Sequence, residues 1–182
     1  MFGFLIFLFG VIATLGMCGL GAWSDFKGYR IPNLVSLIII LSFVVAYAVL
    51  HMTGQGEVIF FSLKSHLGSF FIVLIVTMAM FALKILGAGD SKMAASLSLW
   101  LGFSGLVPFL FYMTLFGGLI AVVSLLLQKY KPLKNPPQGW LSAAQQGSAN
   151  IPYGIAIAAG GLIAFIFNGY FDFGKWAEII NL

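Results

Sequence analysis

The chain has 182 residues, of which 61% are hydrophobic and 8% charged, against about 25% charged in an ordinary soluble domain. That balance excludes a soluble globular protein, and the formal charge of +4 does not point to nucleic acid, because the basic residues are scattered instead of forming a stripe interleaved with aromatics. Cys18 is the one cysteine, which excludes an intrachain disulfide, a CxxC pair and a cysteine zinc site; it is expected as a small buried apolar residue.

A membrane span needs about 20 apolar residues, and runs of that length follow one another with no polar tract large enough for a separate soluble domain. A single integral-membrane, all-α bundle over residues 1–182 is expected. The first run, Phe2 to Trp23, lacks the basic start of a cleaved signal peptide and reads as a retained span. Proline disfavours helix at the residue before it, so Pro32 ends this helix near Tyr29 or Arg30 and leaves Asp25 in its last turns. The second run, about Asn33 to Met52, opens on Asn33, a favourable N-cap residue. After a polar connection, Thr53 to His66, the third run extends from Leu67 to Leu86 and stops at the breaker Gly87-Ala88-Gly89. Asp90 opens a shorter helix to about Phe103, and Gly105 to Pro108 separate it from a fifth run, Leu106 to Leu127. A polar, proline-bearing loop, Gln128 to Asn150, leads to the sixth run, Ile151 to Phe171.

Six spans place both termini on one side. Lys27, Arg30, Lys84, Lys92, Lys129, Lys131 and Lys134 then fall at one face and Lys64 and Lys175 at the other. Basic residues favour the cytoplasmic side, so the termini are expected outside. The same map puts Glu57, Asp172 and Glu178 outside and Asp25 and Asp90 at the inner boundary.

Those two aspartates are the candidate chemistry. Peptide hydrolysis without metal, serine or cysteine can use two carboxyls that share one proton: one takes a proton from water while the other, kept neutral, donates to the scissile carbonyl. Each acid also has a plain structural role open to it. Asp90 follows glycines and opens a helix, where a carboxylate caps free N–H groups. Asp25 lies near a helix C-terminus, the disfavoured end of the dipole, where it could pair with Lys27 or Arg30. Ionisable groups at membrane depth are functional by default, and two on one face weaken both plain readings together. Gly87 and Gly89 would let an extended peptide backbone approach closely, and Lys84 either snorkels to the headgroups or biases the charge of Asp90.

Other positions carry less. His51, His66 and Glu57 fall on the outer side without helical metal spacing, so no metal and no cofactor is called for. Trp23, Trp100, Trp140 and Trp176 suit interfacial anchors, and Gly16, Gly19, Gly21, Gly160 and Gly161 suit close helix packing. Two rival classes remain: a small transporter or channel whose aspartates relay protons or bind cations, and a non-catalytic component of a secretion apparatus. Transport requires an aqueous route joining both faces, and no acid falls in the middle of a span.

Asp25-Phe26-Lys27 leading to Arg30-Ile31-Pro32-Asn33, then Gly87-Ala88-Gly89-Asp90-Ser91-Lys92, then Ile151-Pro152-Tyr153-Gly154-Ile155-Ala156-Ile157-Ala158, resemble the three signatures of the type IV prepilin leader peptidases. The resemblance implies an inner-membrane aspartic peptidase that removes a short basic leader from prepilin-like proteins at the cytoplasmic face. It implies Asp25 and Asp90 as the catalytic pair, without dividing acid and base roles between them. Gly87, Gly89, Lys92, Pro152, Tyr153 and Gly154 would shape the site. The implied partners are a prepilin substrate and membrane lipids. Longer members carry a cytoplasmic cysteine-bearing domain and also methylate the new N-terminus. This sequence shows neither that domain nor its cysteines, so methyltransferase activity is not expected. The compact form is similar to the branch serving tight-adherence (Flp-type) pili. Ile155 stands where many relatives have proline and touches neither aspartate.

Overall fold

The computed structural model describes residues 1–148 and 150–181. Among them are eight helices and no strand: α1 (Phe2–Gly28), α2 (Asn33–Met52), α3 (Gly56–Ile59), α4 (Leu63–Ala82), α5 (Ala88–Tyr130), α6 (Trp140–Gln145), α7 (Tyr153–Phe167) and α8 (Phe173–Asn181). Helices α1, α2, α4 and α5 are long and apolar enough to cross a membrane, and α7 is a shorter apolar helix. Large apolar side chains such as Phe9, Ile12, Ile75, Val107 and Phe111 stand exposed, as lipid-facing surface requires. The protein is an all-helical integral-membrane protein.

Helix α1 shows how a nearly uniform apolar sequence still chooses an inner face. Its buried positions are Gly3, Phe7, Gly10, Val11, Thr14, Cys18, Gly21 and Asp25. They recur at helical spacing, so they form one stripe turned to the bundle. Asp25 is the last member of that stripe. Cys18 is buried on it, as its composition suggests.

The centre of the bundle is the first leg of α5. Gly102 has non-helical dihedrals (φ 61°, ψ −172°) and divides α5 into two legs. From Asp90 to Gly102 every residue except Lys92 is buried, with α2, α4 and α7 packed around it. This explains its modest hydrophobicity. A helix surrounded by protein needs small residues for close approach, here Ala94, Ala95, Ser96 and Ser98, instead of large apolar ones for lipid. The second leg is the reverse, with most of its large apolar side chains exposed and Gly117 against Tyr153 of α7.

A helix break inside a membrane protein must be repaired, because unpaired backbone groups cannot turn to water. Four consecutive carbonyls before Gly102 each accept a side-chain hydrogen bond. Ser69 Oγ donates to Ser98 O at 2.6 Å, His66 Nδ1 to Leu99 O at 2.8 Å, the Tyr170 hydroxyl to Trp100 O, and Asn168 Nδ2 to Leu101 O at 2.8 Å. Beyond the break, the Phe103 N–H donates to Ser65 Oγ at 3.0 Å. The donors come from α4 and from the turn joining α7 to α8, so the kink ties three parts of the chain together.

Several expectations are corrected here. The division of the fourth and fifth runs falls at Gly102, not at Gly105 to Pro108; Pro108 lies within the second leg. His66 is not in a solvated connection but buried in α4, because its ring repairs the break. The third run begins at Leu63 and ends at Ala82, and the last apolar helix spans only Tyr153–Phe167. Asn33 is the first helical residue and Pro32 the cap. Trp100 and Trp140 are buried instead of sitting as interfacial anchors; Trp100 Nε1 donates to Ile39 O at 3.1 Å.

An alanine at Gly102 would need the left-handed φ of 61° and would bring its Cβ to 3.0 Å from Ser65 Oγ. Gly102→Ala is expected to destabilise the protein by about 1–3 kcal/mol, read as an earlier unfolding transition in detergent micelles. Gly118→Ala, where an added Cβ meets nothing within 4 Å, should leave the transition unmoved.

Candidate active site

Five helix ends converge on one cleft: the end of α1, the starts of α2, α5 and α7, and the end of α4. Asp25 occupies the last turn of α1, which closes at Tyr29 in the left-handed conformation (φ 54°) with its N–H donated to Asp25 O. Ser24 Oγ holds the following loop by donating to Arg30 O at 2.6 Å. Helix α4 closes in a Schellman pattern. The Lys84 N–H reaches Phe81 O and the Ile85 N–H reaches Met80 O, both at 2.9 Å, with Lys84 at φ 60° where glycine is usual. Both of these bulky residues in left-handed backbone line the cleft. Such backbone costs free energy and gathers at functional sites.

Asp25 and Asp90 are buried, with 4% and 9% of their surface exposed. Asp25 Oδ2 accepts the Gly154 N–H from the first turn of α7 at 2.8 Å. Asp90 stands in the first turn of α5, and its Oδ2 accepts the N–H of the cap residue Gly87 at 3.2 Å. That is half of a capping box; glycine has no side chain to return the bond. Asp90 Oδ1 is buried without a hydrogen-bond partner among the described residues. The two acids are close enough to interact electrostatically. They line two adjoining cavities of about 600 and 590 Å³, which also share Tyr29 and Gly87.

The glycines are explained by contact. A Cβ on Gly89 would lie 3.0 Å from Ile31 Cβ, and one on Gly154 would lie 3.0 Å from Asp25 Cβ and 3.1 Å from Ile31 Cδ1. Ile31 is wedged between these two glycines, and the pair lets the α1–α2 loop reach the starts of α5 and α7. Lys92 stands two residues past Asp90, and its Nζ donates to Asn33 Oδ1 at 3.0 Å, bracing α5 against the start of α2. Pro152 caps α7, and Tyr153 lines the second cavity. Of the expected site residues, Asp25, Gly87, Gly89, Asp90, Lys92 and Tyr153 line the cavities, and Pro152 and Gly154 stand at the start of α7, where the Gly154 N–H reaches Asp25.

The structure supplies two partners the sequence did not reveal. One is the Gly154 backbone N–H as the donor to Asp25. The other is Tyr29, which lines both cavities and whose hydroxyl donates weakly to Asn150 O at 3.4 Å. Burial raises the Tyr29 phenol above its ordinary range, a Ser148 hydrogen bond opposes the rise, and the charge of Asp25 adds to it. The phenol stays a neutral donor near pH 7. Among the described residues no group of three or more His, Cys, Asp or Glu comes together as metal ligands would.

A buried pair of carboxyls at the end of a membrane helix bundle has the chemical means for acid–base work, one accepting and one donating a proton. The sequence matches the type IV leader peptidase family over residues 2–122, and the chain belongs to that family of peptidases. Searches among curated proteins and among solved structures give no significant match. The matched span includes Asp25 and Asp90 and stops short of α7, so Gly154 is joined to the site by geometry.

Gly154→Ala would push into Asp25 and Ile31. It is expected to lower leader-peptidase turnover about ten- to a hundredfold by misplacing the carboxyl. Gly19→Ala, with nothing within 4 Å of an added Cβ, should leave turnover unchanged in the same assay.

Proposed function

We propose that the protein is a membrane aspartic endopeptidase that removes the short leader from type IV prepilins of the Flp type, with Asp25 and Asp90 as its catalytic pair. The observation that carries the reading is the meeting of these two buried acids in one cleft, within a chain of the leader peptidase family. In this reading one carboxylate removes a proton from water, and the water oxygen bonds to the scissile carbonyl carbon. The other carboxyl, kept neutral, donates to the carbonyl oxygen. Collapse of the tetrahedral species breaks the C–N bond, and the amine leaves with a proton returned from the pair. No cofactor takes part.

The same reading sets the orientation. With α5 counted as two legs, six apolar segments alternate across the inner membrane, both termini lie outside, and the cleft opens to the cytoplasm. Lys27, Arg30, Lys84 and Lys92 at the cleft end favour that side. Residues 1–182 act as one domain bathed in lipid, and the enzyme cleaves without methylating the new N-terminus. Gly87, Gly89, Lys92, Pro152, Tyr153 and Gly154 shape the site around the substrate backbone. A proton or cation pathway is disfavoured by the opposite half of the bundle, where Phe43, Phe60, Trp100, Phe165 and Tyr170 pack ring against ring with centroids 4.9–6.1 Å apart.

The test is cleavage of a coexpressed Flp-type prepilin, followed as the shortened product on a gel, with the enzyme's membrane level measured alongside. Asp25→Asn and Asp90→Asn are each expected to abolish the product at unchanged membrane level. Normal processing by either variant would rule out the pair. Mass spectrometry of the wild-type product should show an unmethylated N-terminus.

A further inference from the structure

The aspartates are not the only polar groups that face the cleft. Helix α5 begins there, with Gly87 as the cap and Ala88, Gly89 and Asp90 as its first three residues. The leading N–H groups of a helix have no intrahelical acceptor. The Gly87 N–H is taken by Asp90 Oδ2, and the first carbonyl accepted within the helix is Gly87 O, by the Ser91 N–H. The N–H groups of Ala88 and Gly89 have no acceptor among the described residues. Both residues line the cavity that holds Asp25 and Asp90. Beside them lies Asp90 Oδ1, buried and also without a partner, on a side chain with 9% of its surface exposed. Unsatisfied donors and an unsatisfied acceptor at one spot are what a bound group would complete.

We propose that the Ala88 and Gly89 backbone N–H groups form an oxyanion site for the scissile carbonyl. The inference rests on the paired-aspartate reading and adds catalytic groups to it. As water attacks, the carbonyl π pair moves onto oxygen, and the growing negative charge meets two N–H dipoles at the positive end of a long helix. The neutral carboxyl shares the same oxygen, so the N–H groups support its proton transfer without replacing it. Two local features suit the task. Gly87, in extended backbone (φ −74°, ψ 150°), directs the chain into the helix without a side chain over the donors. Gly89 is held against Ile31, which fixes the height of its N–H in the cleft.

The geometry also supplies a clean test. Ala88 is the first helical residue, the position where proline is best tolerated. Gly87 before it already has the extended backbone that a following proline demands, and Ala88 is exposed. Ala88→Pro thus removes one N–H while the helix start keeps its shape. With purified enzyme and a purified Flp-type prepilin, Ala88→Pro is expected to lower kcat about ten- to a hundredfold with KM within about twofold. Ala88→Ser keeps the N–H and is expected to retain most of the kcat that Ala88→Pro loses, while Gly118→Ala, away from the cleft and with nothing within 4 Å of an added Cβ, should match the wild type. Unchanged kcat in Ala88→Pro, a change confined to KM, or an equal loss in Ala88→Ser would each overturn the proposal.

If Ala88→Pro fails to fold, the wild type labelled with ¹⁵N at alanine and glycine answers the same question. A peptide with a statine hydroxyl at the scissile position should move the Ala88 and Gly89 amide protons downfield, and static signals at saturation would refute the site. Asp25→Asn and Asp90→Asn run beside these proteins. Cleavage that survives there defeats the aspartate reading itself, whereas an active Ala88→Pro beside inactive asparagine variants defeats only the oxyanion site.

Discussion

The structure depends on one constraint: a backbone polar group that cannot reach water must find a partner within the protein. The break at Gly102 would leave carbonyls bare in the bundle core, and the chain answers with Ser69, His66, Tyr170 and Asn168, one for each carbonyl from Ser98 to Leu101. Because those side chains come from α4 and from the segment after α7, satisfying the break also fixes how these elements lie against α5. The polar residues of the interior are therefore positional. They set the rotation and depth of the central helix, and with it the place where Asp90 emerges.

The same accounting, with the sign reversed, governs the opposite end of that helix. Helix starts leave N–H groups in surplus, and of the three helices that start at this cleft two are served by the acids. Asp25 serves α7 and Asp90 serves α5. The plain capping role of Asp90 and the chemical role proposed for it are thus compatible. An acid that holds a helix start is itself held, and a fixed carboxyl with one oxygen still free is better placed for proton transfer than one on a mobile loop. Asp25 settles in a similar way. The unfavourable C-terminal dipole of its own helix is offset by the N-terminus of another.

Much of this was legible in the sequence, though unevenly. The end of α1 near Tyr29 followed from Pro32 alone. The placement of Asp25 on the inner face is visible in the spacing of Phe7, Val11, Thr14, Cys18 and Gly21 ahead of it. The three motifs named part of the cleft lining, because glycine, proline and aspartate have narrow physical uses, but not Tyr29, which lines both cavities. What hydropathy could not show was burial within the bundle. Trp100 and His66 looked like boundary residues, since a polar atom in an apolar run suggests the membrane edge, yet both are core residues whose polar atoms complete backbone bonds elsewhere. The break at Gly102 was displaced to Gly105 and Pro108 because proline is the louder signal, yet Pro108 lies within the second leg. The Gly154 donor was invisible because a backbone N–H has no letter in a sequence.

That last bond has a consequence for the life of the chain before it is complete. Asp25 and Asp90 belong to α1 and α5, whereas the N–H that holds Asp25 belongs to α7, which is made after both. A ribosome-bound intermediate that has inserted α1 through α5 carries both acids, but the donor that fixes the first of them has not yet been translated. The hydrogen bond that fixes Asp25 therefore forms only after α7 has been made, later than the two acids and the helices that carry them.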